Sequence, residues 1–196
     1  MSEHAFPLPE NLPVPIDDGA ARHLPGRPVP AVALPSTHGG TVNLRDLDGT
    51  VVLYCYPRTG VPGEPLPQGW NDIPGARGCT PQSCAYRDHA AELAALGARV
   101  FGISTQSTDF QREAADRLHL PFALLSDERL QLATALQLPT MEVQGWTLLR
   151  RLTLIVQDGV VRHVFYPVFP PDRDAENVIE WLRTSARGPG PAPGAG

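Results

Sequence analysis

Cysteines stand at positions 55, 79 and 84, and two of them, Cys79 and Cys84, are five residues apart in the segment Gly78-Cys79-Thr80-Pro81-Gln82-Ser83-Cys84. A thiolate is the strongest nucleophile a side chain offers, and a second thiol nearby allows a reversible disulfide. Thr80 followed by Pro81 signals a helix start, with Thr80 as cap and Pro81 at the first helical position. Cys79 therefore falls at a helix N-terminus, where unpaired N–H groups and the positive end of the helix dipole favour thiolate over thiol. A zinc site would call for a shorter gap and a second ligand pair, and the sequence offers neither. No metal and no cofactor is expected. Cys84 is open to two readings, a partner thiol or a core-facing small side chain. Cys55, inside the apolar run 51–56, reads as a buried hydrophobe.

The spacing of the pair has a mechanical consequence. In one regular helix, five steps give a rise of roughly 7.5 Å and a rotation of about 140°. The two Cα atoms then lie roughly 8–9 Å apart, beyond the ~7 Å limit for a disulfide without backbone movement. Closing the pair requires the first turn or two of the helix to unwind. A helix end is where such opening costs least.

The elements that position these residues follow from periodicity. Residues 51–56, VVLYCY, read as a strand buried on both faces. A long proline- and glycine-rich loop covers 57–79, and the helix opened at Thr80 runs to about Leu96, where Gly97 stops it. A hairpin is expected across His38-Gly39-Gly40 and another across Gln157-Asp158-Gly159. Strands at 99–104 and 122–125 alternate with helices at 108–118 and from about Asp127 to Leu136, and a last helix begins at Ala175. This alternation is an α/β layer fold. In such folds sites collect at strand C-termini and helix N-termini, which is where the stretch from Pro57 to Cys84 lies.

The ends read differently. Residues 1–24 are proline-rich and are expected as an extended arm, and the tail 187–196, GPGPAPGAG preceded by Arg187, is expected to be disordered. The folded domain is expected over 25–186. Composition removes several function classes. The net charge is −5 with no basic run, so nucleic acid has no electrostatic footprint here. All 16 basic residues are arginine, which excludes Schiff-base, Walker-type and serine–lysine chemistry. No apolar run approaches a membrane span, and no basic-then-apolar leader opens the chain. With an odd number of cysteines, a reducing compartment, the cytoplasm, is the expected location.

The stretches VVLYCYPRTG (51–60) and GCTPQSCAYRDHAAEL (78–93), with VFGISTQS (100–107), LPFALLSDERLQLATAL (120–136) and RLTLIVQDGVVRHVF (151–165), resemble the peroxiredoxins. The resemblance is nearest to their bacterioferritin-comigratory-protein, or PrxQ, branch and spans roughly residues 25–184. It implies a thioredoxin-like fold, with a central mixed β-sheet flanked by helices and an N-terminal β-hairpin. It also implies a peroxidase that reduces hydrogen peroxide or organic hydroperoxides, recycled by thioredoxin or a similar dithiol, as a monomer or homodimer. By position, Cys79 matches the peroxidatic cysteine, Cys84 the resolving one, and Arg151 the active-site arginine, with Arg150 as a surface neighbour. Pro57 matches the proline after the strand. Arg87 and Asp88 match the pair after the resolving cysteine and read as a structural ion pair.

Two departures stand out. About 15 extra residues, roughly 61–75, intervene before Cys79, and Ala76 occupies the place of the family's threonine. Thr59 is the first candidate for the missing hydroxyl and Thr80 the second. The insertion reads as a cover for the pocket, a partner surface or a tolerated loop. Two other uses of the same thiol pair are a thiol–disulfide oxidoreductase, which ordinarily carries Cys-x-x-Cys, and a redox sensor that exposes a surface on oxidation.

Overall fold

A hairpin of β1 (Ala33–Pro35) and β2 (Thr41–Asn43) leads into β3 (Thr50–Cys55) in the computed structural model, which describes residues 8–185. The expected tail 187–196 and residues 1–7 of the expected arm lie outside the described residues. After β3 the chain runs through a long loop into α1 (Cys79–Asp88) and α2 (Ala90–Ala95). Next come β4 (Ala98–Ser104), α3 (Thr108–Leu118), β5 (Leu124–Ser126) and α4 (Gln131–Leu136). A hairpin of β6 (Thr140–Val143) and β7 (Trp146–Leu149) precedes β8 (Leu152–Gln157), β9 (Val160–Phe165) and α5 (Asp174–Ser185).

The central sheet has the order β5-β4-β3-β8-β9, with β3 parallel to β4 and antiparallel to β8. Alternate side chains of β3 enter two different cores. Val51, Leu53 and Cys55 pack with α4, the β1–β2 hairpin and the N-terminal segment, whereas Val52, Tyr54 and the following Tyr56 pack under α1, α3 and α5. A strand covered on both faces has to be apolar throughout, which accounts for the uninterrupted run. The expected thioredoxin-like arrangement, a mixed sheet with helices on its faces, is the one observed.

Three details differ from the sequence expectation. The segment before residue 25 is not wholly extended: it turns at Gly19–Ala20 and buries Ala21 and Leu24 in the core, while Val14 and Ile16 stay exposed. The helix after the loop starts at Cys79, not at Pro81, and breaks at His89. Gly78, with φ 106°, holds the cap position and Thr80 does not. A glycine cap offers no side-chain hydrogen bond, so it leaves no polar mark in the sequence. Close packing explains the glycine, since a Cβ there would stand 2.3 Å from Cγ of Pro171.

The β6–β7 hairpin was not expected either. It forms a small third core in which Val143 and Leu148 pack with Trp70 and Ala76, and Trp70 opens a 3-10 turn over Trp70–Asp72. The inserted loop is therefore anchored by its own aromatic residue.

Candidate active site

Register places the site. Cys55 of β3 pairs with Leu152 of β8, so Arg151 enters the sheet beside the C-terminal end of β3, next to the start of α1. Arg150 and Arg151 form the two-residue link between β7 and β8, and their side chains part. Arg150 goes to the surface, where it meets Asp18 at 2.9 Å, and Arg151 turns inward, only 3% exposed.

The buried guanidinium of Arg151 is fixed by several acceptors. Its Nε donates to the carbonyl of Gly75 at 3.3 Å, and its Nη2 to the carbonyls of Ala76 and Arg77 at 3.2 and 3.3 Å. Nη1 donates to Oε1 of Gln82. The same Nη2 lies 3.2 Å from Sγ of Cys79. Cys79 is itself 4% exposed and stands at the first position of α1, so the cation meets the sulfur at the start of a helix. Among the described residues Arg151 forms no ion pair with a carboxylate, so its charge is not cancelled by a direct partner.

A cleft of about 220 Å³ opens onto Cys79. Thr59 and Thr80 both line it, as do Arg58, Arg77 and Arg117. Val61, Pro62, Leu66 and Trp70 of the insertion form an apolar wall of this cleft. Thr59 is held firmly: its N–H and its hydroxyl both donate to Oε1 of Gln106, at 3.0 and 3.2 Å, and Gln106 Nε2 returns a bond to the Thr59 carbonyl at 3.1 Å. Pro57 is buried where the chain bends after β3 and does not line the cleft. Ala76 belongs to the Trp70 cluster, and its contribution here is its carbonyl, which accepts from Arg151 and from the Cys79 thiol at 3.7 Å.

The other thiols differ from Cys79 in setting. Cys84 shares α1 with Cys79 and is buried, and both are free thiols. Burial pushes the Cys84 thiol up, against the pull of the nearby Arg87. Cys55 is fully buried in β3, and burial holds its thiol far above the ordinary range, which leaves it unreactive. Arg87 donates to Asp88 at 2.8 Å and to the Leu118 carbonyl at 3.0 Å, tying α1 to α3.

Sequence reasoning passed over Gln82 and Gln106, which hold Arg151 and Thr59. Gln82 lies three residues after Cys79, so it shares a helix face with it; that spacing was the one signal available. No cluster of metal-binding side chains occurs among the described residues, and no helix there is long and apolar enough to cross a membrane.

Comparison with known proteins adds an independent line. A family model described as Redoxin matches residues 24–179. The chain is 32% identical over 162 residues to peroxiredoxin Bcp of Escherichia coli (strain K12), covering 80% of this chain and 94% of that protein. It is 29% identical over 160 residues to the chloroplastic peroxiredoxin Q of Sedum lineare, covering 81% of this chain and 77% of that one. Among solved structures, peroxidoxin BcpB from Mycobacterium tuberculosis superposes with a TM-score of 0.67 at 28% identity, over 83% of this chain and 98% of its own.

Proposed function

We propose a residue-level mechanism for this chain, which belongs to the redoxin family and within it to the Bcp/PrxQ branch of the peroxiredoxins. Its activity is thiol-dependent peroxide reduction, with a hydroperoxide as substrate and a thiol as reductant. In our reading Cys79 is the peroxidatic residue. Its thiolate attacks the terminal peroxide oxygen, the S–O bond forms as the O–O bond breaks, and the departing oxygen takes a proton and leaves as water or alcohol. Arg151 stabilises the thiolate and then the charge that moves onto the peroxide oxygens.

The hydroxyl of Thr59 substitutes for the threonine that Ala76 lacks. Its proton is committed to Gln106, so its lone pairs are left to accept the hydroperoxide proton and orient the O–O bond. Pro57 acts through shape only, at the bend that leads the chain toward Thr59.

Cys84 is the resolving residue. Once Cys79 is a sulfenic acid, the first turn of α1 opens, Cys84 attacks that sulfur, the S–S bond forms and water leaves. An external dithiol, thioredoxin or a similar one, then exchanges with the disulfide and restores both thiols. Neither metal nor cofactor takes part in this scheme. It fits a monomer or homodimer working in the cytoplasm.

The single observation that carries this reading is the 3.2 Å contact between Arg151 Nη2 and Cys79 Sγ at the base of a cleft and the start of a helix. The test is peroxide consumption coupled to thioredoxin and its reductase. Cys79→Ser is expected to abolish turnover while leaving the fold intact, and turnover that persists in Cys79→Ser overturns the assignment.

A further inference from the structure

Beneath Arg151 lies a buried polar cluster that the mechanism above leaves unused. Its centre is Asp174, the first residue of α5, which is 1% exposed. One carboxylate oxygen, Oδ2, collects three donors from two other elements. Gln82 Nε2 donates from α1 at 2.8 Å, the Tyr86 hydroxyl from α1 at 2.8 Å, and the Thr153 hydroxyl from β8 at 2.7 Å. The second oxygen, Oδ1, is buried with no hydrogen-bond partner. Burying a carboxyl group is costly, and burial pushes this one above its ordinary range, against the pull of its three donors and of the Arg151 charge. Every bond converges on the oxygen that Gln82 reaches.

The amide of Gln82 has a donor end and an acceptor end. Because its NH2 is committed to Asp174, its carbonyl oxygen is left to accept from Nη1 of Arg151. Without Asp174 the amide is free to flip, which sets NH2 against guanidinium, donor against donor. Asp174 thus fixes the amide, while the guanidinium itself remains aimed at the sulfur.

We propose that Asp174 is a positioning residue: by fixing the amide of Gln82, it orients the Arg151 guanidinium on the sulfur of Cys79. This rests on the assignment of Cys79 as the reacting thiol. It deepens that assignment by naming what holds the arginine in place.

The test isolates the first chemical step. In a Cys84→Ser background, Cys79 oxidation by hydrogen peroxide is followed by stopped flow, and alkylation of Cys79 by iodoacetamide is followed against pH. Asp174→Leu is expected to slow oxidation about tenfold and to move the alkylation profile to higher pH. Asp174→Asn places an acceptor oxygen where Oδ2 stands and NH2 where Oδ1 has no partner, so it should stay within about threefold of the parent. Gln82→Leu should match Asp174→Leu, and the double variant should be no slower than Gln82→Leu alone, because the two act in series. The charged groups that line the Cys79 cleft, Arg58, Arg77 and Arg117, are unchanged in all of these proteins.

Parental rates and an unmoved pH profile in Asp174→Leu overturn the proposal. So does a double variant whose loss is the product of the two single losses. Should Asp174→Leu not fold, Asp174→Ser, whose hydroxyl is too short to reach Gln82, takes its place with the same expectations. Failure of the underlying assignment looks different: the parent protein itself would then not be oxidised at Cys79.

Discussion

Replacing Arg151 with methionine removes the guanidinium while keeping an unbranched side chain in the buried stem's place. At 3.2 Å and an effective dielectric of about 20, the attraction between guanidinium and thiolate is about 5 kcal/mol. That figure is a ceiling, because the helix N-terminus still faces the sulfur and water enters the space vacated by the cation. Hydrogen bonds to charged groups are worth about 1.5–3 kcal/mol by substitution, which corresponds to a loss of roughly 10- to 100-fold in rate. The assay is the second-order rate of Cys79 oxidation by hydrogen peroxide in a Cys84→Ser background, measured by stopped flow. Arg151→Lys should fall between parent and Arg151→Met, since it restores a charge but cannot span the carbonyls of Gly75, Ala76 and Arg77. Those carbonyls lose their donor in Arg151→Met, so its urea midpoint should also drop, and the kinetics belong at a temperature where it remains folded. Oxidation of Arg151→Met at the parental rate would refute the electrostatic account of this site.

Three more outcomes are expected. Gly78→Ala forces a Cβ to within 2.3 Å of Pro171 at a φ of 106°, and should cost roughly 2–4 kcal/mol in urea unfolding; an unchanged midpoint would show that the α1 cap tolerates a side chain. Cys55, fully buried with its thiol pushed far up, should resist iodoacetamide and peroxide in the folded protein and react only in denaturant, a pattern that peptide mapping resolves. Because burial also raises the Cys84 thiol, that group is protonated near neutrality, and the conversion of sulfenic acid to disulfide should accelerate as pH rises. By the same sign, Cys84 favours the folded state below the ordinary thiol range, and that contribution is lost as pH rises through its raised value. A resolving step that is flat from neutral to alkaline pH would contradict the role given to Cys84.

Much of this architecture was legible in local pattern. Residues 51–56 announce a doubly buried strand, and Asp158-Gly159, both with positive φ, mark the β8–β9 turn through residue types that tolerate that backbone. The β6–β7 hairpin was hidden because its turn, Gln144-Gly145, carries only one residue of the usual kind and its strands are short and partly exposed. α1 starts two residues before Pro81 because its glycine cap is silent, whereas Thr80 and Pro81 advertise a start.

The thiol pair is visible because its chemistry resides in residue type and spacing. The residues that support it are not. Gln82 bonds Asp174 across 92 positions and Thr59 bonds Gln106 across 47, and no periodicity links side chains so far apart. Ala76 appeared as a defect in the sequence. In the structure it is a small apolar contact under Trp70 whose carbonyl helps hold Arg151, so the inserted loop and the loss of threonine are parts of one local arrangement.

The central claim is that Cys79 and Cys84 form a disulfide although they share one helix. Mass spectrometry of the intact protein after one equivalent of hydrogen peroxide, followed by peptide mapping, tests it directly. The account predicts the loss of two hydrogens, with Cys79 joined to Cys84 and Cys55 still a free thiol. A stable sulfenic acid at Cys79 with Cys84 untouched, or a disulfide through Cys55, would contradict it.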